Sequence, residues 1–148
     1  TVVGRKESQS VLLTLDERTT RFRHIIKIPG RSTQAVEQGL KTLRELYGEQ
    51  FSQVFRSITS DNGSEFASLP QLLPTIPIYY AHPYSAYERG LNEKQNSLIR
   101  RFLPKGRSFD VATDEQIREI QDCQLPRKSF HYSSPEEIFQ TVLLDLAI

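Results

Sequence analysis

Apolar and polar positions alternate in ways that predict most of the secondary structure. Val11-Leu12-Leu13-Thr14-Leu15 is a short apolar run, the pattern of a buried strand. A polar, turn-like stretch from Asp16 to Thr20 follows. Phe22, His24, Ile26 and Ile28 then alternate with Arg23, Ile25 and Lys27 until Pro29-Gly30 stops the run, which predicts a second strand. Two strands across a tight polar turn make an antiparallel hairpin. Ser32 or Thr33 can cap the next element. Val36, Leu40, Leu43 and Tyr47 recur at i, i+4, i+7 and i+11, the apolar stripe of a helix that Gly48 closes. Val54 to Ser60 reads as a third strand ending at Asp61-Asn62-Gly63. Ile76 to Ala81 reads as a fourth, placed at a sheet edge because Pro77 lacks a ladder donor.

Helix signals dominate the remainder. Glu93 to Leu103 carries Leu98, Ile99 and Phe102 on one side. Thr113 with Gln116 forms a capping box ahead of Ile117 and Ile120. Ser134, Pro135 and Glu137 form another, with proline at the first helical position, ahead of Phe139, Val142, Leu143 and Leu146. A hairpin, a helix, two strands and then helices describe a mixed sheet with helices on its faces, an α/β class.

The 148 residues suit one domain, 1–148, with one core. No apolar run approaches the length of a membrane span, and the start does not resemble a signal peptide. The single cysteine, Cys123, excludes a disulfide framework or a multi-cysteine zinc site and fits a reducing cytoplasm; it reads as a small buried filler. His24, His82 and His131 are scattered and read as structural rather than as ligands. The net charge of +1 and pI near 7.8 fall short of a dedicated nucleic-acid-binding module, so a DNA partner requires locally concentrated basic residues or help from other domains. A chain that begins at Thr1 and holds no methionine reads as an excised piece of a longer protein.

Chemistry concentrates in two stretches. In Ile58-Thr59-Ser60-Asp61-Asn62-Gly63-Ser64-Glu65-Phe66 a carboxylate follows a predicted strand, where open α/β sheets bind ligands. Asp-Asn-Gly is equally the composition of a plain turn. In the helix after Tyr84-Ser85-Ala86-Tyr87-Glu88-Arg89-Gly90-Leu91-Asn92, the residues Glu93, Asn96 and Arg100 stand at i, i+3 and i+7 and share a face, which could meet a metal and a phosphate or simply be solvated. Arg100, Arg101, Lys105 and Arg107 place four basic residues within eight positions, a cluster suited to phosphates or to a solvated surface.

Taken in order, several motifs resemble the integrase core of bacterial DDE transposases of the insertion sequence 30 family. They are Ile58-Thr59-Ser60-Asp61-Asn62-Gly63-x-Glu65-Phe66, Tyr80-Ala81-x-Pro83-Tyr84, Glu88-Arg89-Gly90-x-Asn92-Glu93-x-x-Asn96-x-Leu98-Ile99-Arg100 and Phe102-x-Pro104-Lys105-Gly106. Leu12-Leu13-Thr14-Leu15-x-x-Arg18-x-Thr20-Arg21-Phe22, Pro126-Arg127-Lys128 and Pro135-x-Glu137-x-Phe139 fit the same family, so the resemblance runs from Thr1 to about Phe139. It implies an RNase H-like, mixed five-stranded sheet flanked by helices, with the first strand truncated at the N-terminus. It also implies metal-dependent cleavage and strand transfer of DNA. Asp61 matches the second metal-binding aspartate and Glu93 the final glutamate, the pair that with one earlier aspartate would hold two Mg²⁺ ions, with Mn²⁺ as a substitute.

That earlier aspartate would fall just upstream of Thr1, and Asp16 does not replace it, because Asp16 matches a hairpin-turn position. The expectation is therefore a fragment with two of three carboxylates, inactive as it stands. Cys123-Gln124-Leu125 is a second departure, where the family tends to carry Asn and Arg. Asn62, Arg89, Asn96, Arg100, Arg101, Lys105 and Arg107 are the expected DNA contacts. Transposon ends and target DNA are the expected partners, with a homo-oligomer acting on the bacterial nucleoid in the cytoplasm and no membrane involved. The alternative is a catalytically inactive, transposase-derived module for DNA binding or oligomerisation.

Overall fold

The computed structural model describes residues 2–3, 8–82, 90–122 and 128–146, and among these the side chains of all but 2–3, 90–95 and 130. Its body is the predicted hairpin. Strand β2 (Val11–Asp16) pairs antiparallel with β3 (Arg23–Ile28) in a register that sets Asp16 opposite Arg23 and Leu15 opposite His24. Strand β1 (Val2–Val3) pairs antiparallel with the other edge of β2, giving the order β1-β2-β3. The hairpin turn is closed by Glu17, whose carboxylate accepts from the Thr19 and Thr20 amides and the Thr20 hydroxyl.

Helix α1 (Thr33–Tyr47) begins where Ser32 Oγ accepts from the Ala35 amide and ends at Gly48, whose positive φ of 52° suits glycine. It buries Val36, Leu40 and Leu43, the predicted stripe. Gly39 lets it approach the hairpin closely. A Cβ there would stand 2.9 Å from both the Ile28 Cγ2 and the Leu13 Cδ2. Val11, Leu13, Ile28, Val36, Leu40 and Leu43 form one core with Phe51, Phe55, Phe66, Leu69, Leu73 and Ile76.

The third strand is shorter than the pattern predicts. Residues 51–54 form a one-turn helix, α2 (Phe51–Val54), because Phe51 and Phe55 are spaced one turn apart and bury together, and only β4 (Ile58–Ser60) is extended. After α3 (Leu69–Leu72), strand β5 (Ile78–Tyr80) pairs parallel with β4, Ile58 opposite Ile78 and Ser60 opposite Tyr80. The described residues therefore hold two small sheets, β1-β2-β3 and β4-β5, rather than one of five strands.

Helix α4 (Gly90–Phe102) and helix α5 (Asp114–Asp122) cover the opposite face of the hairpin. Leu12 and Ile25 pack there with Ile99, Leu103, Phe109, Ala112, Ile117 and Ile120, a second core. Ile99 and Leu103, one turn apart, take the inward stripe, whereas the predicted inward residue Phe102 is 47% exposed. Thr113 and Gln116 cap α5 reciprocally, as Ser134 and Glu137 cap α6 (Pro135–Leu146). Only Phe139 and Pro135 of α6 are fully buried, and Val142, expected on its apolar stripe, is exposed. A clasp joins the two ends of the second core. The Asp110 carboxylate accepts from the Gln9 and Ser10 amides and from the Ser108 hydroxyl. Among the described residues no helix is long and apolar enough to cross a membrane.

Candidate active site

The end of β4 delivers Asp61 to the C-terminal edge of the parallel pair, where carboxylates can reach solvent and a bound ligand. Asp61 is half-buried, and its Oδ1 accepts from the Gly63 amide at 3.2 Å, an Asx turn that fixes the carboxylate against its own backbone. Asn62 donates from Nδ2 to the Ala81 carbonyl at 2.9 Å, and the Ala81 amide donates to the Ser60 carbonyl at 2.8 Å. These two bonds tie the loop after β5 to the turn, so the ends of both strands move as one.

Beneath the turn lies a second carboxylate. Glu65 is 4% exposed, and its Oε1 accepts from Arg31 Nε at 3.1 Å and Nη2 at 2.9 Å, while the Arg31 side chain is 53% exposed. A Cβ on Gly63 would stand 2.6 Å from Glu65 Oε2 and 3.0 Å from Asp61 Oδ1. A side chain there would have to displace the ends of these two carboxylate side chains, while the backbone itself, with φ of −64°, is open to any residue. Glu65 was not singled out from the sequence. Its signal is the i+4 spacing from Asp61, together with Arg31 just past the strand that Pro29-Gly30 stops.

Glu93 stands in the first turn of α4, as its position before the apolar stripe predicts. Its side chain lies outside the described residues, and so do Arg89 and Cys123. Asn96, one turn on, is half-buried, and its Oδ1 accepts from Arg23 Nη1 at 2.6 Å. Arg100 is half-buried with its guanidinium over the Phe109 ring, 5.6 Å from the centroid. Arg101, Lys105 and Arg107 are exposed. The face shared by Glu93, Asn96 and Arg100 is thus engaged with the body of the protein at its second and third members, and the exposed part of the basic cluster is Arg101, Lys105 and Arg107.

Asp16 is spoken for as well. Both its oxygens accept from Arg23, at 2.6 Å from Nε and 2.6 Å from Nη2, in keeping with its place at the hairpin turn rather than in a metal site. Arg23 was also passed over in the sequence, where it reads as the outward polar member of an alternating strand. His24 is structural. It is 2% exposed within a box of Phe22, Tyr47, Phe55 and Phe139. Burial depresses its pKa from about 6.5 to about 4, the charge of Glu17 opposing the shift, and raises that of Tyr47 to about 12.

The donor set fits a hard cation in kind. Asp61 supplies carboxylate oxygen at a solvent-reached strand end, as Mg²⁺ requires, and no soft ligand stands beside it among the described residues. Those residues include no group of three or more histidine, cysteine or acidic side chains placed to hold a metal, and the Glu93 side chain is not among them.

No family model matches the chain. Several curated homologues are transposases of insertion sequences. The chain is 33% identical over 97% of its length to the transposase for insertion sequence element IS4351 of Bacteroides fragilis. It is 34% identical over 93% of its length to a probable transposase for the insertion-like sequence element IS1161 of Streptococcus salivarius. It is also 29% identical over 94% to the transposase InsI of element IS30A of Escherichia coli. It spans 44%, 39% and 36% of those three proteins, less than half of each.

Proposed function

We infer, from homology to insertion-sequence transposases that runs along nearly the whole chain, that this protein is the catalytic part of a metal-dependent DNA transposase of the insertion sequence 30 kind. The observation that carries the reading is the placement of Asp61, in the family's second aspartate position, at the C-terminal edge of a parallel strand pair. Pro77 leaves β5 as an outer strand, and the Ile25 amide on the outer edge of β3 is taken by Gln121 Oε1 at 2.8 Å. Pairing of β4 beside β1 would join the two sheets into the five-stranded, RNase H-like sheet that the family resemblance implies.

Asp61 and Glu93 are the residues that would hold Mg²⁺, or Mn²⁺ in its place. Such ions lower the pKa of an attacking hydroxyl and offset charge on the phosphate and the leaving oxygen. The chain's own contribution is position. The Asx turn at Gly63 and the Asn62–Ala81 bond hold Asp61, and α4 carries Glu93. In the first step, a water oxygen bonds to phosphorus, the P–O3′ bond breaks, and the strand is left with a 3′-hydroxyl and a 5′-phosphate. In the second, that 3′ oxygen bonds to a target phosphorus while the target's own P–O3′ bond breaks. Arg101, exposed in the last turn of α4, and Lys105 and Arg107, exposed beyond its end, supply contacts to phosphates that position the duplex without reading its sequence.

The test uses the full-length transposase on DNA bearing the element's ends. Asp61→Asn and Glu93→Gln should each abolish Mg²⁺-dependent strand cleavage while the circular dichroism spectrum stays that of the parent. Undiminished cleavage by either variant would remove that residue from the reaction.

A further inference from the structure

We propose that Arg23 is a positioning residue for the catalytic helix, acting through Asn96 on the placement of Glu93. The inference rests on the role of Glu93 proposed above. Arg23 is 1% exposed, and three of its nitrogens are committed. Nε and Nη2 each lie 2.6 Å from an oxygen of Asp16, and Nη1 lies 2.6 Å from Asn96 Oδ1. A guanidinium is a rigid planar fork, so two bonds to one carboxylate fix its plane and leave Nη1 pointing in one direction.

Asp16 and Arg23 are direct partners in the β2–β3 ladder. The fork is therefore oriented by the hairpin itself, independently of α4. The helix meets a preset donor and must bring Asn96 to it.

Glu93 precedes Asn96 by three residues in the same helix, close to one turn, or about 4.5 Å along the axis. A slide or rotation of α4 that breaks the Arg23–Asn96 bond displaces Glu93 by a similar amount. Ile99 of α4, and Leu103 just past its end, pack against Leu12 and Ile25 of the sheet in the second core. Apolar packing favours burial but sets direction weakly. The buried cation is costly for stability alone, since well-packed apolar residues often replace such a pair without loss. What the apolar alternative lacks is a fixed angle of approach.

The experiment measures two quantities on the full-length transposase: the Mg²⁺ concentration giving half-maximal cleavage, and the urea midpoint without metal. Asn96→Leu should raise the half-maximal Mg²⁺ concentration about tenfold or more, the size of effect seen when partners that orient metal ligands are removed. Asn96→Asp, which still presents an oxygen to Nη1, should stay near the parent value. Arg23→Lys keeps the charge that neutralises Asp16 but not the fork, and should raise the Mg²⁺ requirement as Asn96→Leu does.

A metal midpoint unchanged in both Asn96→Leu and Arg23→Lys overturns the proposal, whatever happens to the urea midpoint. Should Asn96→Leu fail to fold, Arg23→Lys and Asn96→Asp decide the matter on the same scale. Glu93→Gln separates the two inferences. If it still cleaves, the metal-holding role proposed for Glu93 fails and this one with it; if it is dead while Asn96→Leu and Arg23→Lys titrate like the parent, only the positioning role fails.

Discussion

Consecutive residues of β3 face opposite sides of the hairpin, and the two sides are built differently. Arg23 and His24 are 1% and 2% exposed, so both bury a polar group almost completely. On the α1 side, His24 enters an aromatic box. Phe22 and Phe139 stack with centroids 4.7 Å apart, Tyr47 OH stands 3.5 Å from His24 Nδ1, and Nε2 is buried without a hydrogen-bond partner among the described residues. On the α4 and α5 side, Arg23 is paired with Asp16 and Asn96, Gln121 takes the Ile25 amide, and Lys27 Nζ donates to the Ala112 carbonyl at 2.7 Å. The first face is held by shape and keeps its one basic ring neutral. The second adds directional bonds to its apolar core, and it is the face that carries the helix bearing Glu93. A fold can be stabilised by either device, but only the second specifies where a helix stops along its own axis.

The sharpest way to break this contrast is Arg23→Met, which removes the fork and strands the Asp16 carboxylate. The expected loss is about 3–5 kcal/mol by urea unfolding. Arg23→Met with Asp16→Leu should recover most of it, because the isolated charge is then gone. Recovery of stability without recovery of cleavage is the expected signature of a face built for direction.

The other side is read by pH. The pKa of His24 is lower in the folded chain, about 4, than its ordinary value near 6.5. Above pH 6.5 the ring is neutral in both states and its contribution is fully present. Between about 6.5 and 4 the unfolded chain takes up a proton that the folded chain refuses, so stability falls as pH falls, by on the order of 3 kcal/mol in total. His24→Phe should flatten that part of the stability–pH curve, and an unchanged slope would show that the aromatic box does not exclude the charge. The smallest effect is expected from Gln121→Ala, which uncovers the Ile25 amide at a strand edge and should cost about 1 kcal/mol.

What the sequence revealed and what it hid divide along the same line. The hairpin, α1 with its stripe, and both capping boxes were legible because each depends on spacing within a few residues. Asp61 and the position of Glu93 were legible because a strand end and a helix start are local features too. Arg23 was not. Alternation places it on the outward face of a strand, and only a helix seventy-odd residues later turns that face into an interior. Asn96 was read as a DNA contact for the same reason, its partner being remote in sequence. Glu65 was visible as a motif residue, but its burial depends on Arg31, which reaches it from beyond the hairpin. The third strand, read from Val54, was overextended because Val54 and Phe55 have strand-like composition, while Phe51 and Phe55 bury their rings together one helical turn apart.

The clasp between Asp110 and the Gln9 and Ser10 amides spans about a hundred residues of chain, and the Gln121–Ile25 bond nearly as many. On the ribosome, β2, β3 and α1 emerge first and can close their side of the hairpin at once. The other side, with Leu12 and Ile25 bare, waits for roughly 5–20 s of further synthesis before α4 and α5 arrive to cover it. That interval is when the nascent chain is most exposed to sticking to its neighbours, and a pause in translation near residue 90 would lengthen it.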